Sequence, residues 1–252
     1  MIHIFKLGLV SVSFREHSVG EIIEAVKNAG LSCVEWGSDI HAKPDDLKAL
    51  DIIKKQCLNA EIEICSYGTY FRLGETPLAE LPLYINAAKA LNTDILRLWC
   101  GTKGYGEYTE EEFSLLLSEC KEAAKIAEEN GVILCMECHN GTVTDCIDGA
   151  LRLMKEVGSN SFKMYWQPNQ YRSSKENIEY AKAIAPYTKY IHIFNWDKEN
   201  RFPLKDGIEV WKKYLECFKG NETLLLEFMP DNDIKSLVCE SNALKMIVGQ
   251  NL

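Results

Sequence analysis

The run Val132-Ile133-Leu134-Cys135-Met136 leads directly into Glu137-Cys138-His139-Asn140-Gly141. A short, continuous apolar run of this kind predicts a strand that is buried on both faces, as in a parallel sheet. The strand therefore delivers a carboxylate and an imidazole to its C-terminal tip. A strand also ends in polar residues wherever it reaches solvent, so this stretch alone does not define a site.

Other strand-like runs of the chain end in the same way. A charged or amide side chain recurs near one end of each of the following runs: Val34-Glu35-Trp36, Leu96-Arg97-Leu98-Trp99, Met164-Tyr165-Trp166-Gln167, Ile191-His192-Ile193-Phe194-Asn195-Trp196 and Leu225-Leu226-Glu227-Phe228. Helix-like stretches separate the runs. The first of them, Ser18 to Ala29, begins with a capping box of Ser18 and Glu21 and stops at Gly30.

The whole chain is organised as eight strand-helix units without a linker or a change in composition. Alternating strands and helices predict a parallel sheet with right-handed crossovers. Eight such units in 252 residues match a closed (β/α)8 TIM barrel, an α/β fold with a single domain over residues 1–252. An open doubly wound sheet is the alternative, but no strand is followed by a GxGxxG or P-loop signature.

Some predicted boundaries rest on propensity alone. The first strand is predicted over Leu7 to Phe14, and the third over Glu61 to Tyr67 with a polar and aromatic loop after it. The second helix is predicted to open at Pro44, because proline is favoured in the first turn.

Composition limits the possible partners. A formal charge of −9 and a pI of about 5.2 argue against nucleic acid, because phosphate binding needs clustered Lys and Arg. The ten cysteines lie in apolar runs and no signal-peptide pattern precedes them, so we expect reduced thiols in a cytoplasmic protein. No apolar stretch reaches the roughly 20 residues that a membrane span needs.

Glu137 and Glu227 are the sharpest pair of candidate catalytic residues. They are predicted on strands five and eight, whose tips face each other across the barrel mouth. Two carboxylates on opposite sides of a substrate can take a proton from one carbon and return one elsewhere. A divalent metal between them would polarise a carbonyl, and His192 offers a nitrogen ligand from the neighbouring strand. Ion pairing with Lys or Arg at the rim is the structural alternative.

At these residues the chain resembles the sugar isomerase/epimerase superfamily of xylose isomerase-like barrels, which also contains the endonuclease IV branch of DNA repair enzymes. The resemblance covers nearly the whole chain through short motifs at strand ends: Val34-Glu35-Trp36-Gly37-Ser38-Asp39-Ile40-His41, Ser66-Tyr67-Gly68, Ile95-Leu96-Arg97-Leu98-Trp99, Trp166-Gln167-Pro168, His192-Ile193-Phe194 and Leu226-Glu227-Phe228. The endonuclease branch has a His-rich site for three zinc ions. This chain has five His, and His3 and His17 match no ligand motif.

The resemblance also implies a metal site. Ketose epimerases of this superfamily hold a divalent metal with Glu, Asp, His and Glu from strands five to eight, and the two Glu transfer protons. By resemblance, Glu137, His192 and Glu227 take these roles with Mn, Mg, Co or Zn. At strand six the usual Asp-x-x-His is replaced by Gln167-Pro168-Asn169-Gln170. The amide of Gln167 can ligate a hard cation but carries no charge, which weakens the expected metal affinity.

The remaining strand-end residues are expected to contact substrate. Tryptophans at the strand tips predict an aromatic-walled pocket suited to the apolar faces of a sugar ring, although each Trp alone also suits the core. The cations expected to meet an anionic substrate group are Arg97, Arg201, Lys198 and Lys205. His139 shares a strand face with Glu137 and is either a further ligand or a pocket wall. The predicted substrate contacts are Glu35, Trp36, His41, Arg97, Trp99, His139, Trp196 and Arg201.

The sequence therefore predicts a cytoplasmic enzyme that isomerises or epimerises a small sugar or keto-sugar by proton transfer between Glu137 and Glu227. The expected partner is a small carbohydrate, with neither nucleic acid nor a membrane, and a homodimer is the default assembly. Two alternatives stay open. One is a barrel that binds a sugar-like ligand without turnover, and the other is dehydration of a polyol ketone on the same framework.

Overall fold

The computed structural model of the protein describes residues 5–250; residues 1–4, among them His3, and residues 251–252 lie outside the described part. Within that part, eight parallel strands pair in sequence order and close into a barrel, with the eighth strand paired to the first. This arrangement confirms the predicted (β/α)8 fold class. The strands are β1 Lys6–Val10, β2 Cys33–Gly37, β3 Glu63–Leu73, β4 Ile95–Cys100, β5 Ile133–Glu137, β6 Phe162–Trp166, β7 Thr188–Ile193 and β8 Thr223–Leu226.

Each strand of the barrel is followed by an α-helix that covers its outer side. The helices are α1 Val19–Asn28, α2 Leu47–Asn59, α3 Leu81–Leu91, α4 Glu110–Asn130, α5 Ile147–Val157, α6 Ser174–Ile184, α7 Ile208–Leu215 and α8 Leu237–Val248. The capping box predicted for α1 is present, with the Glu21 backbone N–H donating to Ser18 Oγ. None of the helices in residues 5–250 has the length and apolarity that crossing a membrane requires.

Two apolar cores result from the alternation of side chains along the strands. The smaller core fills the inside of the barrel, and the larger one lies between the barrel and the helices. Val10, Cys33, Cys135, Tyr165 and Leu225 belong to the inner core. Because successive residues point to opposite sides, the phase of each strand decides which of its terminal side chains reaches the mouth of the barrel.

The structure corrects three predicted boundaries. Strand β1 ends at Val10, and Ser11–Phe14 forms a 3-10 helix in which Ser11 Oγ accepts a hydrogen bond from the Gly37 N–H at 2.9 Å. Strand β3 runs to Leu73, six residues beyond the predicted end, because after an irregularity its last residues pair again with β4. Helix α2 begins at Leu47, since Asp46 rather than Pro44 provides the cap.

Gly8 of β1 lies where the strands leave no room for a side chain. A Cβ at this position would lie 2.5 Å from the Cys33 carbonyl oxygen and 2.7 Å from Leu225 Cδ2. We expect Gly8→Ala to lower the free energy of unfolding by about 2 kcal/mol, because overpacking a core forces its neighbours to shift. Urea denaturation of both proteins measures the difference. Gly106→Ala, where nothing lies within 4 Å, is the matched control; equal stability of the two variants would contradict this packing.

Candidate active site

The C-terminal ends of the strands surround an open cavity of about 430 Å³. Several residues predicted from the sequence line it: Arg97, Trp99, Glu137, His139, Gln167, Trp196 and Glu227. Residues that the sequence analysis did not select line it as well, among them Arg15, Tyr70, Asn140, Asp145, Asn169, Phe194 and Phe228. The convergence of the strand tips on one site follows from closure of the barrel.

The floor of this site is a buried group of Glu137, His192 and Glu227 that can hold a metal ion. His192 Nδ1 lies 3.6 Å from Glu137 Oε1 and 3.3 Å from Glu227 Oε2. Gln167 Oε1 lies 3.0 Å from the same nitrogen. The ends of the four consecutive strands β5 to β8 thus bring four potential metal-ligand atoms around one point.

The spacing of these four ligand atoms fits a small divalent cation. Adjacent ligands of an octahedral Mg²⁺ or Mn²⁺ ion lie about 3 Å apart, since metal-oxygen distances are about 2.1 Å. The separations of 3.0 to 3.6 Å measured from His192 Nδ1 are close to that value. Gln167 Nε2 donates to the Cys138 carbonyl oxygen at 2.9 Å, which turns the amide oxygen towards His192. The replacement of the expected Asp by Gln167 therefore removes a charge but keeps an oxygen in place.

Glu137 is held in a fixed position by two donors. Arg97 Nη1 and Trp99 Nε1 both donate to its Oε2, the latter at 2.7 Å. Burial by itself raises the pKa of Glu137, but the charge of Arg97 outweighs burial and lowers the pKa. Glu137 is therefore ionised at neutral pH, and its Oε1 is the oxygen that faces His192.

Glu35 lies one layer deeper than the cavity. Its carboxylate accepts hydrogen bonds from Arg97 Nε at 2.8 Å, Ser66 Oγ at 2.8 Å and the Tyr165 hydroxyl at 2.7 Å. Glu35 does not line the cavity, so the structure places it as the support of Arg97 rather than against a substrate. Gly68 makes room for this pair, because a Cβ there would lie 2.5 Å from Glu35 Oε1.

Glu227 differs from Glu137 in its electrostatic environment. Burial and, secondly, repulsion from Glu137 raise the pKa of Glu227 to about 8. Burial also lowers the pKa of His192 to about 4, so that the imidazole is neutral at pH 7. Without a metal, the site at neutral pH thus contains one ionised carboxylate, one protonated carboxyl and one neutral imidazole. Paired groups whose pKa values are pushed apart are typical of acid-base sites.

The backbone that presents Glu227 is unusual. Phe228, the next residue, has a φ of 53°, which is rare for a bulky side chain. Its N–H donates to Ser13 Oγ at 2.8 Å, and the Glu227 N–H donates to the Ile193 carbonyl oxygen at 3.0 Å. These bonds hold a left-handed turn that directs Phe228 to the cavity wall next to Glu227.

Aromatic side chains form two walls of the cavity. On one side, the Trp99 ring packs against Tyr70 and His139, with centroids 5.4 Å apart in both pairs. On the other side, Trp196 packs against Phe194 at 4.8 Å and against Phe228 at 5.5 Å. His139 is exposed on the first wall, where its Nδ1 lies 2.8 Å from the Asn140 carbonyl oxygen, and it is not part of the metal group.

Besides Glu35, three of the predicted substrate contacts lie outside the cavity: Trp36, His41 and Arg201. Trp36 follows Glu35, which points into the barrel, so its ring points outwards into the helix layer and packs against His41 at 5.6 Å. Arg201 stacks over Trp196 at 4.7 Å and bonds to Asn232. We therefore leave these three out of the proposed substrate contacts.

Comparison with known proteins identifies the family of this barrel. Residues 23–228 match the family described as the xylose isomerase-like TIM barrel. The chain belongs to this family. A curated protein similar to this chain is the 3-dehydroshikimate dehydratase of Bacillus anthracis, which is 19% identical over 202 residues that make up 75% of this chain and 71% of the relative.

Several solved structures share the fold of this chain. The probable 3-DHS dehydratase AsbF of Bacillus anthracis superposes with a TM-score of 0.81, at 15% identity over 96% of this chain and 99% of that one. A Mycobacterium smegmatis barrel in complex with magnesium gives 0.71, at 13% identity over 98% and 97%. The D-psicose 3-epimerase of Clostridium cellulolyticum gives 0.69, at 14% identity over 96% and 98%.

Proposed function

We propose that this protein is a metal-dependent enzyme that isomerises or epimerises a small polyhydroxylated ketone by proton transfer next to its carbonyl group. The observation that carries the proposal is the pair Glu137 and Glu227, buried on either side of His192, with pKa values shifted in opposite directions. Such a pair supplies a base and an acid at one site. Similarity to the D-psicose 3-epimerase and to the dehydratase supports chemistry of this class.

The side chains of this site divide the work. Glu137, ionised and held by Arg97 and Trp99, takes the proton from the carbon next to the carbonyl. Glu227, on the other side of His192, is placed to return a proton to the neighbouring carbon or to the opposite face. A divalent metal bound by Glu137, Gln167, His192 and Glu227 would polarise the substrate carbonyl. The aromatic walls at Trp99 and Trp196 would exclude water from the enolate.

Dehydration is the second candidate, and the curated dehydratase relative favours it. The first step is the same: Glu137 takes a proton from the carbon next to the carbonyl. A hydroxyl on the following carbon then leaves as water, with the proton that Glu137 has taken. A carbon-carbon double bond forms, and no oxidant or reductant is required. The two candidates therefore differ in the fate of one intermediate.

Incubation in D₂O with Mn²⁺ separates the candidates. We would offer D-psicose, D-ribulose 5-phosphate and 3-dehydroshikimate, and follow each by NMR and mass spectrometry. Deuterium in a recovered ketone together with a new epimer or isomer supports the first candidate, and loss of one water supports the second. If none of the three exchanged deuterium or lost water, the enzymatic proposal would be overturned in favour of a barrel that binds its ligand without turnover.

Metal affinity should depend on pH in a defined direction. A metal must displace the proton of Glu227, whose pKa burial raises to about 8, whereas His192 is already neutral. The folded metal-free protein holds this proton below pH 8, so the Kd for Mn²⁺ should fall about tenfold per pH unit from about pH 6.5 to 8. Isothermal titration calorimetry in a series of buffers measures the slope and the proton released. Glu227→Gln should flatten the slope, and exposed Glu199→Gln should not; a flat wild-type profile would contradict the assignment.

A further inference from the structure

Arg15 is a second cation of the cavity. It follows the 3-10 helix after β1, lines the cavity and keeps 38% of its side chain exposed. Among the cavity-lining residues of the described chain, Arg15 and Arg97 carry the positive charges. Arg97 is buried between the carboxylates of Glu35 and Glu137, so its charge is already shared by two partners. Arg15 is therefore the cation that a ligand in the cavity can reach.

Three hydrogen bonds brace the Arg15 guanidinium. Its Nε donates to Asp39 Oδ2 at 2.7 Å, its Nη1 to the Val12 carbonyl oxygen at 3.1 Å and its Nη2 to the Tyr70 hydroxyl at 2.5 Å. Tyr70 in turn donates to Asp39 Oδ2 at 3.1 Å. Arg15 and Tyr70 thus stand as one rigid unit, and both line the cavity.

The guanidinium keeps donors that these contacts do not use. Arginine has five N–H groups, and Arg15 uses three of them, so that one N–H remains on each terminal nitrogen. Residues 5–250 offer no acceptor to these two. A pair of N–H groups on one planar guanidinium matches the two oxygens of a carboxylate or a phosphate. Arg15 and Glu227 line the same cavity.

We propose that Arg15, braced by Asp39 and Tyr70, is an oxyanion-binding subsite, and that the substrate is a polyhydroxylated ketone carrying a carboxylate or a phosphate group. This inference rests on the proposed function and names the substrate class of the same site. The oxyanion docks at Arg15 while the carbonyl end of the molecule lies over Glu137 and His192. Charge-assisted hydrogen bonds of this kind discriminate strongly against a neutral analogue.

Matched pairs of ligands test the subsite by calorimetry on the Mn²⁺-treated protein. One pair is shikimate and methyl shikimate, and the other is D-ribulose 5-phosphate and D-ribulose. The wild type should bind the charged member of at least one pair about tenfold or more tightly than its neutral partner. A preference in the first pair identifies a carboxylate substrate, and one in the second pair a phosphate. Arg15→Met should remove the preference and leave the neutral member's Kd unchanged within about twofold.

Arg15→Lys keeps the positive charge but loses the paired N–H groups of the guanidinium. This variant replaces Arg15→Met in the test if Arg15→Met does not fold. It should keep only part of the preference, because lysine is a point charge without the paired donors. No preference in the wild type, no binding of either charged probe, or an equal loss for charged and neutral members in the variants would each overturn the subsite. Deuterium exchange is read separately: a charge preference without exchange would keep the subsite and overturn the proton-transfer function.

Discussion

Glu137→Gln should lower solvent deuterium exchange into the ketone substrate by about 10³-fold, because the variant loses the base of the reaction. The amide is close in shape to the carboxylate, and Arg97 and Trp99 can still donate to its oxygen. We therefore expect the barrel to stay folded and to bind the ligand. NMR measurement of deuterium incorporation, at saturating substrate and metal, gives the rate directly.

The matched control for this variant is Glu199→Gln. Glu199 is exposed on the hairpin Trp196–Asp197 and Asn200–Arg201, where it accepts a hydrogen bond from the Tyr171 hydroxyl. The Glu199→Gln variant should exchange solvent deuterium into the substrate at the wild-type rate. Exchange that persists in Glu137→Gln at more than about a tenth of the wild-type rate would remove Glu137 from the proton-transfer step, whatever the metal content of the variant.

Arg97→Met should lower the free energy of unfolding by about 3 to 5 kcal/mol, because removing one partner of a buried ion pair leaves the other charge without a counterion. Arg97 is the shared partner of Glu35 and Glu137, and all three side chains are buried. Without the guanidinium, both carboxylates must take up protons or remain charged without a counterion. Equilibrium unfolding in guanidinium chloride at pH 7 measures the loss.

Two further variants show whether the lost charge of Arg97 causes this loss of stability. Adding Glu35→Gln and Glu137→Gln to Arg97→Met should recover much of the lost stability, because the unpaired charges are removed as well. Lys6→Met breaks an exposed ion pair with Glu63 and should cost no more than about 1 kcal/mol. If Arg97→Met cost as little as Lys6→Met, the buried network would not be a major source of stability.

The fold was predictable because its signals are local. The apolar run before Glu137 and the capping box of Ser18 and Glu21 each lie within a few residues, and the structure confirms the strand and the helix that they predict. Closure of the barrel follows from eight such units in order. The extension of β3 to Leu73 was missed because it depends on pairing with β4, which no local pattern records.

The site was predictable only in part, because side-chain direction and long-range partners are not local. Glu35 and Trp36 are adjacent at the same strand tip, yet one points into the barrel and the other into the helix layer. The sequence shows a cation at position 97 but not its carboxylate partners, which lie 62 and 40 residues away in the chain. No local sequence pattern marked Arg15 as a site residue, since its hydrogen-bond partner Tyr70 lies 55 residues further on.

The metal content of the purified protein and of its Glu227→Ala variant tests the central claim most directly. Glu227 contributes one of the two carboxylates of the buried metal group, so the variant should lose most of its affinity. Elemental analysis after incubation with Mn²⁺ or Mg²⁺ and gel filtration should find about one ion per chain in the wild type and little in the variant. Absence of metal from both proteins, or equal amounts in both, would contradict a metal-assisted reaction at this site.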